Sequence, residues 1–121
     1  MSAECFCAYD QPAFYSARTV TAGKQHKCSE CFRAIQPGER YEYAVGKWDG
    51  HFDCFKTCCR CLDLKQYVKA HVPCFCWAHG NIIDDCYDTA DNYAHEAPGL
   101  KFGYWRRCVA ILRAPRVEAK P

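Results

Sequence analysis

The residues of this chain best suited to chemistry are its cysteines, 12 among 121 positions, most of them in short-spaced pairs. Cys28-x2-Cys31 and Cys58-x2-Cys61 are two C-x2-C pairs separated by 26 residues. A tight turn over the first pair sets two thiolates about 3.7 Å apart on one side of a tetrahedral ion, and the first turn of a helix presents two more at i and i+3. The positive end of such a helix also favours thiolate over thiol. The spacing therefore predicts Cys28, Cys31, Cys58 and Cys61 as four ligands of one structural zinc, with no coordination place left for water.

Two C-x-C pairs, Cys5-x-Cys7 and Cys74-x-Cys76, form a second candidate set. Side chains at i and i+2 of an extended segment point the same way, so each pair can offer two thiolates to one ion. The four together predict a zinc clip that pins the N-terminus to the middle of the chain. His79, three residues after Cys76, is the substitute ligand; its other reading is a histidine satisfied by backbone in the turn His79-Gly80-Asn81. Cys59, Cys86 and Cys108 lack a partner at ligand spacing and read as core or surface thiols. The expected cofactor is Zn2+, two ions per chain, or one if the clip does not form.

Elements that could position these ligands are visible in the patterning. Arg40 to Val45 alternates in the strand period, Gly46 to Gly50 supplies a turn, and His51 to Phe55 can return as the partner strand. A short strand is expected near Ala17 to Val20. Leu64, Val68 and Val72 recur at helical spacing from Leu62 until Pro73 stops the run. A second helix is expected over Ile82 to Ala97, capped by Asn81 with Asp84 and Asp85 in its first turn. Leu100 to Leu112 reads as a strand, followed by a flexible tail at 114–121. Knuckle, hairpin and helix in this order make a treble-clef zinc finger. The predicted fold is thus a small, zinc-stabilised α+β domain over 1–121, with a treble-clef core at 28–72, a second helix and a C-terminal strand.

Composition supports a cross-linked domain. The apolar share is 50%, and about 40% once the 12 cysteines are set aside, which is a thin core for this length. Mean hydropathy is -0.39 and aromatic residues make up 15%, excluding a long disordered chain. No apolar run is long enough to span a bilayer, so no membrane partner is expected. Met1 to Asp10 (MSAECFCAYD) has neither the basic nor the apolar region of a secretory signal, and the expected location is the cytoplasm. Disulfides do not persist there, which favours metal as the use of the cysteines.

Charge is uneven. Residues 1–70 carry ten bases and eight acids, 71–100 carry five acids without Lys or Arg, and 101–121 carry six bases and one acid. Lys101, Trp105, Arg106, Arg107 and Arg113, interleaved with Phe102 and Tyr104, combine phosphate-neutralising charge with stacking rings, the pattern of a nucleic-acid contact. The acidic stretch Asp84, Asp85, Asp88, Asp91 and Glu96 would instead suit a basic protein partner, such as a host or defence factor.

A different ligand set is also written in the sequence. Cys28-x2-Cys31-x19-His51-x2-Cys54, with the text GHFDCF, resembles the first half of LIM domains and the zinc finger of poly(ADP-ribose) polymerases. That resemblance implies His51 and Cys54 as ligands, with Cys58 and Cys61 opening a second finger closed by Cys74 and Cys76 or His79. The linker after Cys54 has three residues where LIM domains have two, and the second segment is short for that family. The treble-clef reading leaves His51 exposed and Cys54 packed on the return strand.

Over nearly its whole length the chain resembles a family of small uncharacterised proteins of bacteriophages and prophages. The residues that carry this likeness are Cys5-Phe6-Cys7, HKCSEC with IQPGERYEY (His26 to Cys31, Ile35 to Tyr43), GKWDG with FKTC (Gly46 to Gly50, Phe55 to Cys58), VPCFCWAHGN (Val72 to Asn81) and HEAPGLKFG (His95 to Gly103). The resemblance implies a phage-related, zinc-stabilised domain acting inside the host cell, and little about activity. In such proteins the position of Cys54 is often Thr, which favours Cys58 and Cys61 as ligands.

Enzymatic signatures are weak. Zinc deaminases need H-x-E and P-C-x-x-C, whereas His95-Glu96 are adjacent and Pro73-Cys74-Phe75-Cys76 is one residue short. No cysteine lies in a hydrolase context, and no small-molecule substrate is suggested. The alternative is a metal-dependent nuclease of the His-metal finger class, with His51 and either His71 or Asn81 in the catalytic roles. The leading expectation is a non-enzymatic binding module that contacts nucleic acid or a host protein.

Overall fold

The computed structural model describes residues 14–48, 50–72, 75–94 and 97–117. Five strands and three helices follow in the order β1 (Phe14–Thr21), β2 (His26–Lys27), β3 (Ala34–Ile35), β4 (Arg40–Trp48), β5 (His51–Cys58), α1 (Cys59–His71), α2 (Ile82–Asn92) and α3 (Leu100–Leu112). The alternating stretch at Arg40 forms the central strand of an antiparallel sheet ordered β1-β4-β5. Its register pairs Ala17 with Ala44 and Ala44 with Phe55. The expected hairpin is present and longer at its far end, running to Cys58.

The short ribbon β2-β3, pairing His26 with Ile35 and Lys27 with Ala34, carries the first C-x2-C in its turn. Cys28 N–H donates to the Arg33 carbonyl at 3.0 Å, Phe32 N–H donates to the Cys28 carbonyl at 3.1 Å, and Phe32 takes φ +61° to complete the loop. Two further bonds dock this knuckle on β5: Ser29 N–H donates to the Lys56 carbonyl at 2.7 Å, and Lys56 N–H donates to Ser29 Oγ at 2.9 Å.

Beyond the sheet, α1 packs on α2 and α3. Leu64 and Val68 of α1, Ile82 and Cys86 of α2, and Leu100 of α3 are fully buried, with Ile111 nearly so, giving a shared apolar core that reaches Ile35 beneath the knuckle. Gly103 lets α3 approach α1 closely, because a Cβ there would run into the Tyr67 ring and hydroxyl. That hydroxyl donates to the carbonyls of Gly99 at 3.1 Å and Leu100 at 3.3 Å.

The C-terminal strand expected at Leu100 to Leu112 is instead a helix. Its buried residues Leu100, Gly103, Tyr104 and Ile111 follow the 3.6-residue period, and Gly99, at φ +83°, turns the chain into it. Phe102, Trp105 and Arg106 lie on the outer surface of this helix, while Tyr104 faces the core. The second helix stops at Asn92 rather than Ala97. Of the tail expected to be flexible at 114–121, residues 114–116 are tied to the domain: Ala114 is buried, the Pro115 carbonyl accepts Ala34 N–H at 2.9 Å, and Arg116 bridges to Arg33, while 118–121 lie outside the described residues. None of the helices among the described residues is long and apolar enough to cross a membrane.

Candidate metal centre

The knuckle and the β5-α1 junction bring four thiols together. Cys28, Cys31, Cys58 and Cys61 place their Sγ atoms within 4.8 Å of one another, and they are the one group of three or more His, Cys, Asp or Glu residues, among those described, that could hold a metal ion. Cys28 and Cys61 approach to 3.8 Å, and Cys31 and Cys58 to 3.7 Å. A tetrahedron with metal–sulfur bonds of about 2.3 Å has edges of about 3.8 Å, so these opposite pairs already match the edges of such a site. Cys28, Cys58 and Cys61 are fully buried, and Cys31 is partly exposed.

The local chain also suits thiolates. Cys58 ends β5 at the N-cap position of α1 and Cys61 lies in the helix's first turn, where the helix dipole is positive. Backbone N–H groups of Glu30 and Cys58 both donate to Cys28 Sγ at 3.4 Å. The thiols of Cys31, Cys58 and Cys61 hold Cys28 far below the usual thiol range, while Cys28, Cys31 and Cys58 push Cys61 far above it. Crowded thiols can share protons in this uneven way, but ionising all four requires a cation among them.

Glu30, inside the first C-x2-C, is the functional residue that spacing did not reveal. Its carboxylate accepts Gly80 N–H at 2.7 Å and Ile82 N–H at 2.9 Å, capping the start of α2 from 50 residues away. Burial raises its pKa against the pull of these two N–H groups. Asn81, expected as the cap, makes no capping bond with its side chain; its Nδ2 donates to Asp85 Oδ1 at 2.9 Å. A lone acid between ligands gives no sequence signal that it reaches another element.

His51 and Cys54, the alternative ligands, lie outside this cluster. Both are exposed on β5, with Cys54 opposite Val45, so Cys54 is not the packing residue expected. Of the second set, Cys5, Cys7 and Cys74 lie outside the described residues, and Cys76 is partly buried. His79 is held by side chains rather than by backbone. Tyr15 Oη lies 2.9 Å from its Nε2, the Phe55 ring stacks on it at 4.7 Å, and Trp77 meets it edge-on at 5.0 Å. Its Nδ1 is buried without a hydrogen-bond partner among the described residues, and burial, aided by Lys65, lowers its pKa to about 4. As for the nuclease roles, His71 Nδ1 lies 2.7 Å from the Tyr67 carbonyl, and His51 sits opposite Trp48 at the turn end of the hairpin.

The five residues expected at a nucleic-acid contact all lie on or just after α3, in two groups. Lys101 pairs with Asp91 at 3.1 Å, and Arg107 pairs with Asp63 at 3.1 Å while lying 3.9 Å over the Tyr67 ring. Trp105, Arg106 and Arg113 are exposed. Cys86 is a buried core thiol whose pKa burial pushes up to about 12, and Cys59 is exposed beside Glu39. No protein-family model, curated protein or solved structure matches the chain.

Proposed function

We propose that this chain is a zinc-stabilised, non-enzymatic binding module of treble-clef type, contacting nucleic acid in the phage-related setting its resemblance implies. The observation that carries the proposal is the thiol cluster. Four cysteines at tetrahedral edge distances fill every place on a zinc ion, which makes the ion structural rather than catalytic. The nucleic-acid half of the reading draws on the exposed rings and cations outside the core. The acidic stretch suits a partner less well, since Asp85 is buried and Asp91 is already paired with Lys101.

Elemental analysis of the purified chain tests the first half. At least one zinc per chain is expected, with loss of folded structure on chelation; a metal-free chain that remains folded overturns it. Fluorescence anisotropy with labelled oligonucleotides tests the second. Binding that falls steeply from low to moderate salt is expected, and absence of binding at low salt removes it.

A further inference from the structure

The two faces of the β1-β4-β5 sheet differ in what they present. Residues facing each other across paired strands share a side, so the register assigns each face directly. One face carries Glu42, Ala44, Gly46 and Trp48 of β4 with Phe55 and Thr57 of β5, and is covered in part by α1 and the His79 turn. The other face consists of cross-strand rows. Phe14, Lys47 and Phe52 form one row, Ser16, Val45 and Cys54 the next, and Arg18, Tyr43 and Lys56 the third. Beyond these, the row of Val20, Tyr41 and Cys58 runs under the knuckle.

The first two rows have no element of the described chain packed over them, the third meets His26 of β2 through Lys56, and the chemistry of all three is one-sided. Phe14 is 50% and Phe52 65% exposed, two large rings facing solvent together on the edge strands at the turn end of the sheet. The two rings stand 6.4 Å apart, and Lys47 Nζ lies 5.4 Å from the centre of the Phe52 ring. Every charged residue in these rows is a base: Arg18, Lys47 and Lys56. The two acids of the strands within this register, Glu42 and Asp53, fall on the opposite face.

The same character continues onto the knuckle. Lys56 Nζ lies 3.1 Å from His26 Nδ1, Lys27 sits 4.9 Å over the exposed Phe32 ring, and Lys24 adds its charge beside His26. The result is two rows of rings and cations on either side of an uncharged row, with no carboxylate among the described residues of these rows, over about 13 Å of sheet before the knuckle begins.

The geometry points to this sheet face as a platform for single-stranded nucleic acid. An anionic backbone is matched by Arg18, Lys47 and Lys56, and Phe14, Phe52 and Tyr43 offer flat surfaces to bases. Only unpaired bases can lie on such rings, because in a duplex the base faces are already stacked. An apolar protein partner would leave three cations facing it unpaired. The inference rests on the nucleic-acid reading above and gives it a location and a strand preference, away from α3.

Anisotropy of the full, zinc-loaded chain with a labelled oligothymidylate of about 15 nucleotides, compared with a duplex of equal length, tests this. Single-strand binding tighter than duplex binding is expected. F14A/F52A should weaken it about tenfold or more, F14W/F52W should retain it, and Arg18→Ala or Lys47→Ala should each flatten the log–log salt slope by about 0.7. Metal content and circular dichroism of each variant establish that the fold is kept, as expected for rings so exposed. If R106A/R113A carries the loss and the sheet variants bind as wild type does, the sheet inference falls while the nucleic-acid reading stands. If wild type binds neither oligonucleotide at low salt, both fall. Sedimentation showing a dimer that F14A/F52A dissolves, with oligothymidylate binding unchanged, assigns the face to a second copy and overturns the proposal.

Discussion

Helix α1 belongs to two regions that are closed by different means. At its first turn Cys61, with Cys58 just before it, meets the knuckle cysteines in a cluster of buried thiols. Farther along, Leu64 and Val68 meet Ile82 and Leu100 in ordinary apolar packing. The helical region is held by burial of apolar surface from water, whereas the thiol region is built so that a cation could supply its cohesion. A chain with few aliphatic residues can thus complete a core by letting an ion replace side chains it does not have.

The largest test of this contrast exchanges one sulfur in each region. Cys58→Ser or Cys61→Ser should abolish metal retention and folding, since zinc binding at four thiolates is worth on the order of 10 kcal/mol, comparable to the stability of a small domain. Cys86→Ser, equally buried but in the helical region, should keep the metal and cost about 1–3 kcal/mol for an unpaired buried hydroxyl. Equal losses of metal in the two variants, read by elemental analysis, would break the distinction.

Next in size is the link between the regions. Glu30→Ala strands the N–H groups of Gly80 and Ile82 and should cost about 2–3 kcal/mol in denaturant unfolding, with the metal retained; Glu30→Gln, which keeps one acceptor, should cost less.

The His79 cage gives a pH-dependent test away from the thiols. Its folded pKa of about 4 lies below the imidazole value of about 6.5, so as pH falls the unfolded chain takes up the proton first. Stability from this group is complete above about pH 6.5, declines between 6.5 and 4, and is lost below that. The decline should amount to about 1–2 kcal/mol, since solvent reaches part of the ring. His79→Phe should remove that share of the pH slope, and an unchanged slope would show that the cage tolerates the charged ring.

The smallest effect belongs to the knuckle turn. Phe32 holds φ +61°, where a side chain costs about 1–2 kcal/mol; Phe32→Gly relieves this but frees the unfolded chain, leaving a gain of about 0.5 kcal/mol. A small rise in melting temperature at constant zinc is expected.

How much of this could be read from the sequence depended on whether the determining contacts were local. The thiol cluster could, because C-x2-C spacing and the helix at Cys58 are short-range constraints. The hairpin could, through its alternation. The helical nature of Leu100 to Leu112 could not: the deciding facts were the approach of Gly103 to Tyr67 and the turn at Gly99. Glu30 was missed for the same reason, since its partners lie 50 residues away. The asymmetry of the sheet faces needed the register of β1 on β4, which no local pattern states.

The placement of Glu30 between two cysteines has a consequence for the lifetime of the chain. Its carboxylate is positioned by the knuckle, and the knuckle by the thiols around it, so losing the ion would also remove the acceptor from the start of α2. The turn at 78–81 would then lose two of its ties and open to proteases among the first segments as the fold is lost. Limited proteolysis should accordingly cut first beside α2, and faster in a chelated chain than in one loaded with zinc.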